Sequence, residues 1–417
     1  MQVIRTLSKL NKTDFTLIPE SEFWNKTQND ELSIHKVHVY PAKFPSLIAQ
    51  QAFEYAKMHR MKIHRVADVF CGCGTVAVEA KRKGYDFWGC DLNPVAILLS
   101  KVKTNDYDSN QVRIYSNIIE EEFRNRPNVD TYDIANERLQ YWFVRNQYND
   151  LYKLKNIITN LNCDDNYREL FLCVFSSILK STSKWLTKSI KPQIDPNKEI
   201  HDVLDSFIKQ VNVFIKAIDE EDYNHNSHIQ FSCQNVLDIT QHEYVNLIIS
   251  SPPYVTSYEY ADLHQLSTLW LDYVEDYRDL REDSIGSRYQ AENIVYPNLT
   301  NTAQEIAIKF KGAQRDAIAR YYSQMYSVIS KAYQLLVPRG RCVFVIGDTE
   351  YQTVKIQNAR CLSEALIDNG FIIEEISKRR VENKFLPSHR DSIGRFSSSK
   401  EDRQIYSQEY VIIGRKK

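Results

Sequence analysis

The chain has 417 residues, 43% of them hydrophobic, so it can bury a sizeable core and wholesale disorder is excluded. Its 53 Lys and Arg nearly cancel its 54 Asp and Glu, leaving a formal net charge of -1. Nothing global marks a nucleic-acid binder, and any polyanion site must be a local basic patch. No apolar run is long enough to span a membrane, and the start MQVIRTLSKLNKTDF lacks the apolar centre of a secretion signal. The 8 cysteines form no CxxC pair, which predicts free thiols in a reducing cytoplasm.

Residues 1–110 open on loop-rich sequence and then show strand–turn–helix punctuation. Short apolar runs bounded by turn residues predict strands at 65–70 and 86–91, with helices at 76–83 and 94–103. From 111 to 228 the texture changes. RLQYWFVRNQYNDLYKLKNIITNL and IHDVLDSFIKQVNVFIKAI carry apolar residues at three- and four-residue spacing, the mark of amphipathic helices. From 229 strands return, at 229–233, 245–250, 341–346, 371–376 and 409–413, with helices at 314–336 and 358–368. Strand–helix alternation predicts an α/β fold with a mostly parallel sheet covered on both faces. The last two strands have no helix between them and should pair as an antiparallel hairpin at one edge. Residues 1–110 and 229–417 therefore read as two parts of one sheet domain, interrupted by a helical insert at 111–228.

The first strand carries Asp68 and Phe70 and runs into Cys71-Gly72-Cys73-Gly74-Thr75. Glycines at 72 and 74 let a ligand approach the backbone and let the turn take strained angles. The next strand ends in Asp91, placed to accept hydrogen bonds from two ribose hydroxyls. No third glycine completes Gly-x-Gly-x-x-Gly, which counts against a dinucleotide. Asp68 adds a carboxylate facing the turn, which suits an ammonium or sulfonium group better than pyrophosphate. Cys71, Cys73 and Cys90 have poor spacing for a tetrahedral metal site and read as packing residues, so no metal is expected.

The strand VNLIIS runs into Ser251-Pro252-Pro253-Tyr254. Prolines at a strand end stop the ladder and fix φ, which points the carbonyls in set directions. Such a loop can be a simple strand terminator. Beside a nucleoside-type site it can instead hold a hydroxyl and a carbonyl around one exocyclic amino group, with an aromatic ring to stack on the base.

These residues carry a family resemblance. Asp68-x-Phe70-x-Gly72-x-Gly74-Thr75 resembles the S-adenosyl-L-methionine motif of amino-group DNA methyltransferases. Ser251-Pro252-Pro253-Tyr254 resembles their catalytic motif, in the Ser form associated with N4-cytosine methylation; adenine-N6 members more often carry Asp or Asn there. His38-Val-Tyr-Pro-Ala-Lys-Phe-Pro45 looks like their N-terminal cofactor motif, which implies cofactor contacts from Tyr40, Lys43 and Phe44. Asn235-Val-Leu-Asp238 looks like the turn whose acid, here Asp238, contacts the cofactor's adenine. Val69 replaces a proline often found in the cofactor motif, and the long separation of Asp91 from Asp238 departs from the minimal family domain.

The resemblance implies a Rossmann-like class I methyltransferase with a helical insert. Its partners would be double-stranded DNA, with the target base flipped out at a cost of roughly a few kcal/mol, and a cognate restriction endonuclease. Adenine-N6 methylation, guanine amino-methylation in RNA, and a non-catalytic DNA-recognition subunit are the competing functions. Basic clusters for DNA lie at Lys309, Lys311, Arg315 and Arg320, and at 377–403 with Lys384, His389, Arg390, Arg395 and Arg403. Residues 275–312 and the insert are the two candidates for sequence recognition. Tyr258, Tyr260, His264 and Trp270 read as core packing on a helix after the catalytic loop.

Overall fold

The computed structural model describes residues 3–417 except 27–30, 187–188, 190, 222–225, 256–259, 291–296, 353, 382–388, 391–395, 398, 400–402 and 405–406. Its strands are β1 (Arg65–Asp68), β2 (Asp86–Asp91), β3 (Ile229–Cys233), β4 (Val245–Ser250), β5 (Leu336–Ile346), β6 (Thr349–Tyr351), β7 (Val354–Ile356) and β8 (Ile372–Arg380). The two-residue strands β9 (His389–Arg390), β10 (Phe396–Ser397) and β11 (Arg403–Gln404) precede β12 (Gln408–Arg415). The central sheet has seven strands in the order β3-β2-β1-β4-β5-β12-β8. Strands β3 to β5 are parallel neighbours, and β12 runs antiparallel to both β5 and β8. The expected antiparallel pair is thus present, with its second strand inserted between β5 and β8.

The helices in chain order are α1 (Leu7–Asn11), α2 (Ser46–Met58), α3 (Thr75–Arg82), α4 (Pro94–Thr104), α5 (Ser109–Asn125), α6 (Glu137–Trp142), α7 (Arg145–Thr159), α8 (Asp165–Ile178), α9 (Val203–Asp219), α10 (Tyr260–Trp270), α11 (Asn301–Ala307), α12 (Gly312–Leu335) and α13 (Asn358–Asp368). Alternation along the strands decides which helices cover which face. Val66, Leu247, Ile249, Val343 and Val345 point to the side of α2 and α3. Ala67, Trp88, Ile248, Phe344 and Ile346 point to the side of α12 and α13. Full burial of such side chains stabilises the fold by about 1.5–3 kcal/mol each.

Boundaries differ from expectation where side chains intervene. β1 stops at Asp68 rather than 70, because the Asp68 carboxylate takes the Phe70 N–H at 3.1 Å and turns the chain. β5 begins at Leu336, five residues early: Leu336 pairs with Val245 and Arg341 with Leu247, and the Val-Pro-Arg-Gly stretch between them is taken up in a register shift.

Residues 111–228 hold most of α5 and all of α6 to α9, and among their described residues they add no strand to the sheet. Asp202 caps α9 by accepting from Asp205 N, and the helix buries Leu204, Phe207, Val211 and Phe214 at helical spacing. That core is continuous with Leu98 and Leu99 of α4 and with Leu266 and Trp270 of α10. His264 and Trp270 are buried, as expected of core packing, while Tyr258 lies outside the described residues. Lys384 and Arg395 of the second basic cluster also lie outside them. Among the described residues, no helix is long and apolar enough to cross a membrane.

Candidate active site

The turn after β1 is held by bonds from its own neighbourhood. Cys71 N donates to Cys90 O at 3.0 Å, and Gly72 N donates to the Asp91 carboxylate at 2.9 Å. The other Asp91 oxygen accepts from Asn93 N, also at 2.9 Å. Asn93 then caps α4 through Val95 N, with Pro94 at the first helical position. Ser100 Oγ and the buried Lys103 ammonium donate to the carbonyls of Gly72 and Cys73. Gly74 sits at φ 76° at the head of α3, and a Cβ there would meet Ser100 Oγ at 2.8 Å, so only glycine fits.

The second loop is held from farther away. Ser250 Oγ, buried at the end of β4, donates to Asp68 at 2.6 Å and ties the two strand ends together. Burial pushes the Asp68 carboxyl up to about 7, against the opposing pull of the Ser250 and Phe70 bonds. Burial also raises Asp91. Tyr321 OH donates to the Pro253 carbonyl at 2.7 Å, and Tyr254 OH donates to Glu409 at 3.0 Å.

Both loops open into one cavity of about 520 Å³. Of the expected residues, Tyr40, Phe70, Gly72, Asp91, Ser251, Pro253 and Tyr254 line it. Tyr40 stands against Gly72 and stacks on His264 with centroids 4.8 Å apart. Asp68, Gly74, Thr75 and Pro252 are buried or tucked beneath the lining.

Three expected residues lie elsewhere. Lys43 does not reach the cavity: its ammonium is held by Glu31 at 2.8 Å and by the His35 carbonyl at 2.9 Å. Phe44 packs against the core under α2 and α3. Asp238 is exposed at the end of a short 3-10 turn, which buries Val236 and leaves Gln234 and Asn235 on the cavity wall in its place. Arg320 is corrected as well. It is buried and donates to the Ser287 carbonyl, whereas Lys309, Lys311 and Arg315 are exposed.

The sequence marks 275–312 as a candidate for sequence recognition but does not disclose that 280–288 form the outer wall of this cavity. Asn235 Nδ2 donates to Asp283 O at 3.0 Å, and Gly286 N donates to Gln324 at 2.6 Å. These are side-chain bonds across 48 and 38 residues, and no local pattern announces them. The cap at Asn93-Pro94 was the one signal available for the adjoining wall residue Asn93.

The residues present fit a nucleoside that carries an amino-acid arm through a sulfonium. Glycine removes the Cβ where the backbone must be approached, the Asp91 carboxylate stands at the end of β2, and the rings of Tyr40 and Phe70 supply flat apolar walls. This sheet order, with a glycine turn after β1 and a proline loop after β4, is Rossmann-like, and S-adenosyl-L-methionine is the cofactor of the family to which the chain belongs. Residues 47–316 match the D12 class N6 adenine-specific DNA methyltransferases, and the chain belongs to that family of DNA methyltransferases. It is 23% identical over 396 residues to the type II methyltransferase M.MvaI of Kocuria varians, covering 87% of each chain. Among solved structures it is similar to TrmN from Thermus thermophilus, at 10% identity and a TM-score of 0.34, over 92% of this chain and 52% of that one. It is also similar to a SAM-dependent methyltransferase from Methanosarcina mazei, at 9% identity and a TM-score of 0.31, over 87% and 97% of the two chains.

Proposed function

We propose that the protein methylates the exocyclic N4 of cytosine in double-stranded DNA, with the base flipped into the cavity. The observation that carries this reading is Ser251 at the head of the proline loop, on the same cavity wall as the cofactor cradle. A hydroxyl is a short, neutral acceptor, and the Pro252 carbonyl supplies a second one. Together they accept the two amino hydrogens and favour a tetrahedral nitrogen whose lone pair aims at the cofactor side. Tyr254 stacks on the flipped base. When bound, S-adenosyl-L-methionine supplies a methyl group already activated on sulfonium, so the residues mainly orient and exclude water. Asp91 would hold ribose hydroxyls, Tyr40 and Phe70 would flank the nucleoside, and Asp68 supports the turn.

Lys191, Arg288 and Gln314 stand on the cavity wall, where a DNA backbone would pass. We read residues 111–228 as an insertion into the methyltransferase domain. We extend the proposal to a restriction-modification setting in the cytoplasm, with a cognate endonuclease as partner; the likeness to a type II methyltransferase supports the setting. A second reading, adenine N6, is favoured by the description of the family itself. Digesting methylated duplex to nucleosides and identifying the product by mass spectrometry separates them. N4-methylcytosine supports the first, N6-methyladenine replaces it with the second, and an unmethylated duplex removes both.

A further inference from the structure

We infer that Tyr321 of α12 and Glu409 of β12 are positioning residues that set the 251–254 loop for methyl transfer. The inference rests on reading that loop as the catalytic one. Prolines at 252 and 253 fix φ but leave ψ free, so the carbonyl directions still need an anchor. Tyr321 OH provides one by donating to the Pro253 carbonyl at 2.7 Å. Its ring is in turn confined by Gly286, at φ 74°, where a Cβ would lie 2.7 Å from Tyr321 Cβ. The Gly286 N–H bond to Gln324, one turn along α12 from Tyr321, keeps that glycine in place.

The second anchor acts on the ring of Tyr254. Its hydroxyl donates to Glu409 Oε1 at 3.0 Å, while Arg379 Nη1 donates to Glu409 Oε2 at 2.9 Å. The carboxylate is therefore held at both oxygens, by adjacent antiparallel strands that pair Glu409 with Arg379. Gly347 leaves space for the ring, since a Cβ there would come within 3.3 Å of Tyr254 Cε2. One anchor fixes the Pro253 carbonyl, and with it the loop that carries Ser251 and Pro252, and the other orients the stacking surface. Both residues lie outside the family match at 47–316. A displacement of about 1 Å at a reacting centre can lower a rate by roughly 100-fold, so bonds of this kind act on turnover.

The test measures single-turnover transfer to duplex DNA, S-adenosyl-L-methionine affinity and melting temperature. The proteins are wild type, Tyr321→Phe, Tyr254→Phe, Glu409→Gln and the double variant Tyr254→Phe, Glu409→Gln. Tyr321→Phe should transfer about 10-fold more slowly, with affinity and melting close to wild type. Tyr254→Phe removes the bond and Glu409→Gln weakens it to a neutral one, so each should slow transfer by a few fold, roughly, and the double variant should be no slower than Tyr254→Phe, because without the hydroxyl residue 409 has nothing left to hold there. Effects that multiply in the double variant would overturn the Glu409 assignment. A wild-type rate in Tyr321→Phe, or a rate lost only in step with cofactor affinity, would overturn that of Tyr321. A wild-type protein that binds cofactor yet methylates no duplex would remove the catalytic reading of the loop, and both assignments with it.

Discussion

The glycine turn after β1, proposed to cradle the cofactor, and the proline loop after β4, proposed to hold the amino group, lie on one cavity but are held by different means. Bonds that shape the turn run between residues close in the chain: Asp68 to Phe70, Gly72 to Asp91 and Gly72 to Ser100, with separations of 2, 19 and 28 residues. Those that fix the loop cross the molecule, from Pro253 to Tyr321, Tyr254 to Glu409 and Ser250 to Asp68, over 68, 155 and 182 residues. The turn is a local product of its sequence, while the loop depends on the whole sheet being assembled. Damage to the first should therefore appear in cofactor binding or stability, and damage to the second in turnover.

The largest expected effect tests that division directly. Tyr254→Ala would remove the proposed base stacking, worth about 1–3 kcal/mol, and should cut turnover by up to roughly 100-fold, with cofactor affinity nearly intact by calorimetry. Asp91→Ala is the converse. It removes charge-assisted bonds of about 1.5–3 kcal/mol each, so the cofactor Kd should rise by roughly 10- to 100-fold, with transfer recovering at saturating cofactor. If both variants lose affinity and turnover together, the two regions are not separable. Gly74→Ala forces a side chain into left-handed backbone against Ser100 and should destabilise the protein by about 1–2 kcal/mol, read as a lower melting temperature.

The smallest effect is on pH dependence. Burial pushes Asp68 from an ordinary 3.8 up to about 7, so between those values the folded chain keeps a proton that the unfolded chain has lost. Its contribution to stability therefore falls as pH rises through that window. Asp348, pushed up to about 6, acts in the same direction. The cofactor-free melting temperature should drop from acidic to mildly alkaline pH by less in Asp68→Asn than in wild type. Equal drops would show that Asp68 is ionised throughout.

The same contrast explains what the sequence disclosed. Gly72, Gly74, Asp91 and the strand–helix alternation obey short-range rules, and they stand where those rules place them. Asp238 was misplaced because a three-residue turn decides its direction, and neither spacing nor type encodes which residue of Asn235 to Asp238 faces inward. Lys43 was drawn aside by Glu31, a pairing that no local pattern predicts. Tyr321 looked like one tyrosine among 26, since its meaning comes only from Pro253 across the fold. Arg320 counts as part of a basic cluster by its charge, yet packing buries it against Ser287.

The most direct measurement follows a labelled methyl group from S-adenosyl-L-methionine into duplex DNA, with wild type and the double variant Ser251→Ala, Tyr254→Ala assayed side by side. The account predicts label on the exocyclic amino nitrogen from wild type and almost none from the double variant, while both bind cofactor with similar affinity. Full transfer by the double variant would contradict it, because the loop at 251–254 would then not be where the chemistry takes place.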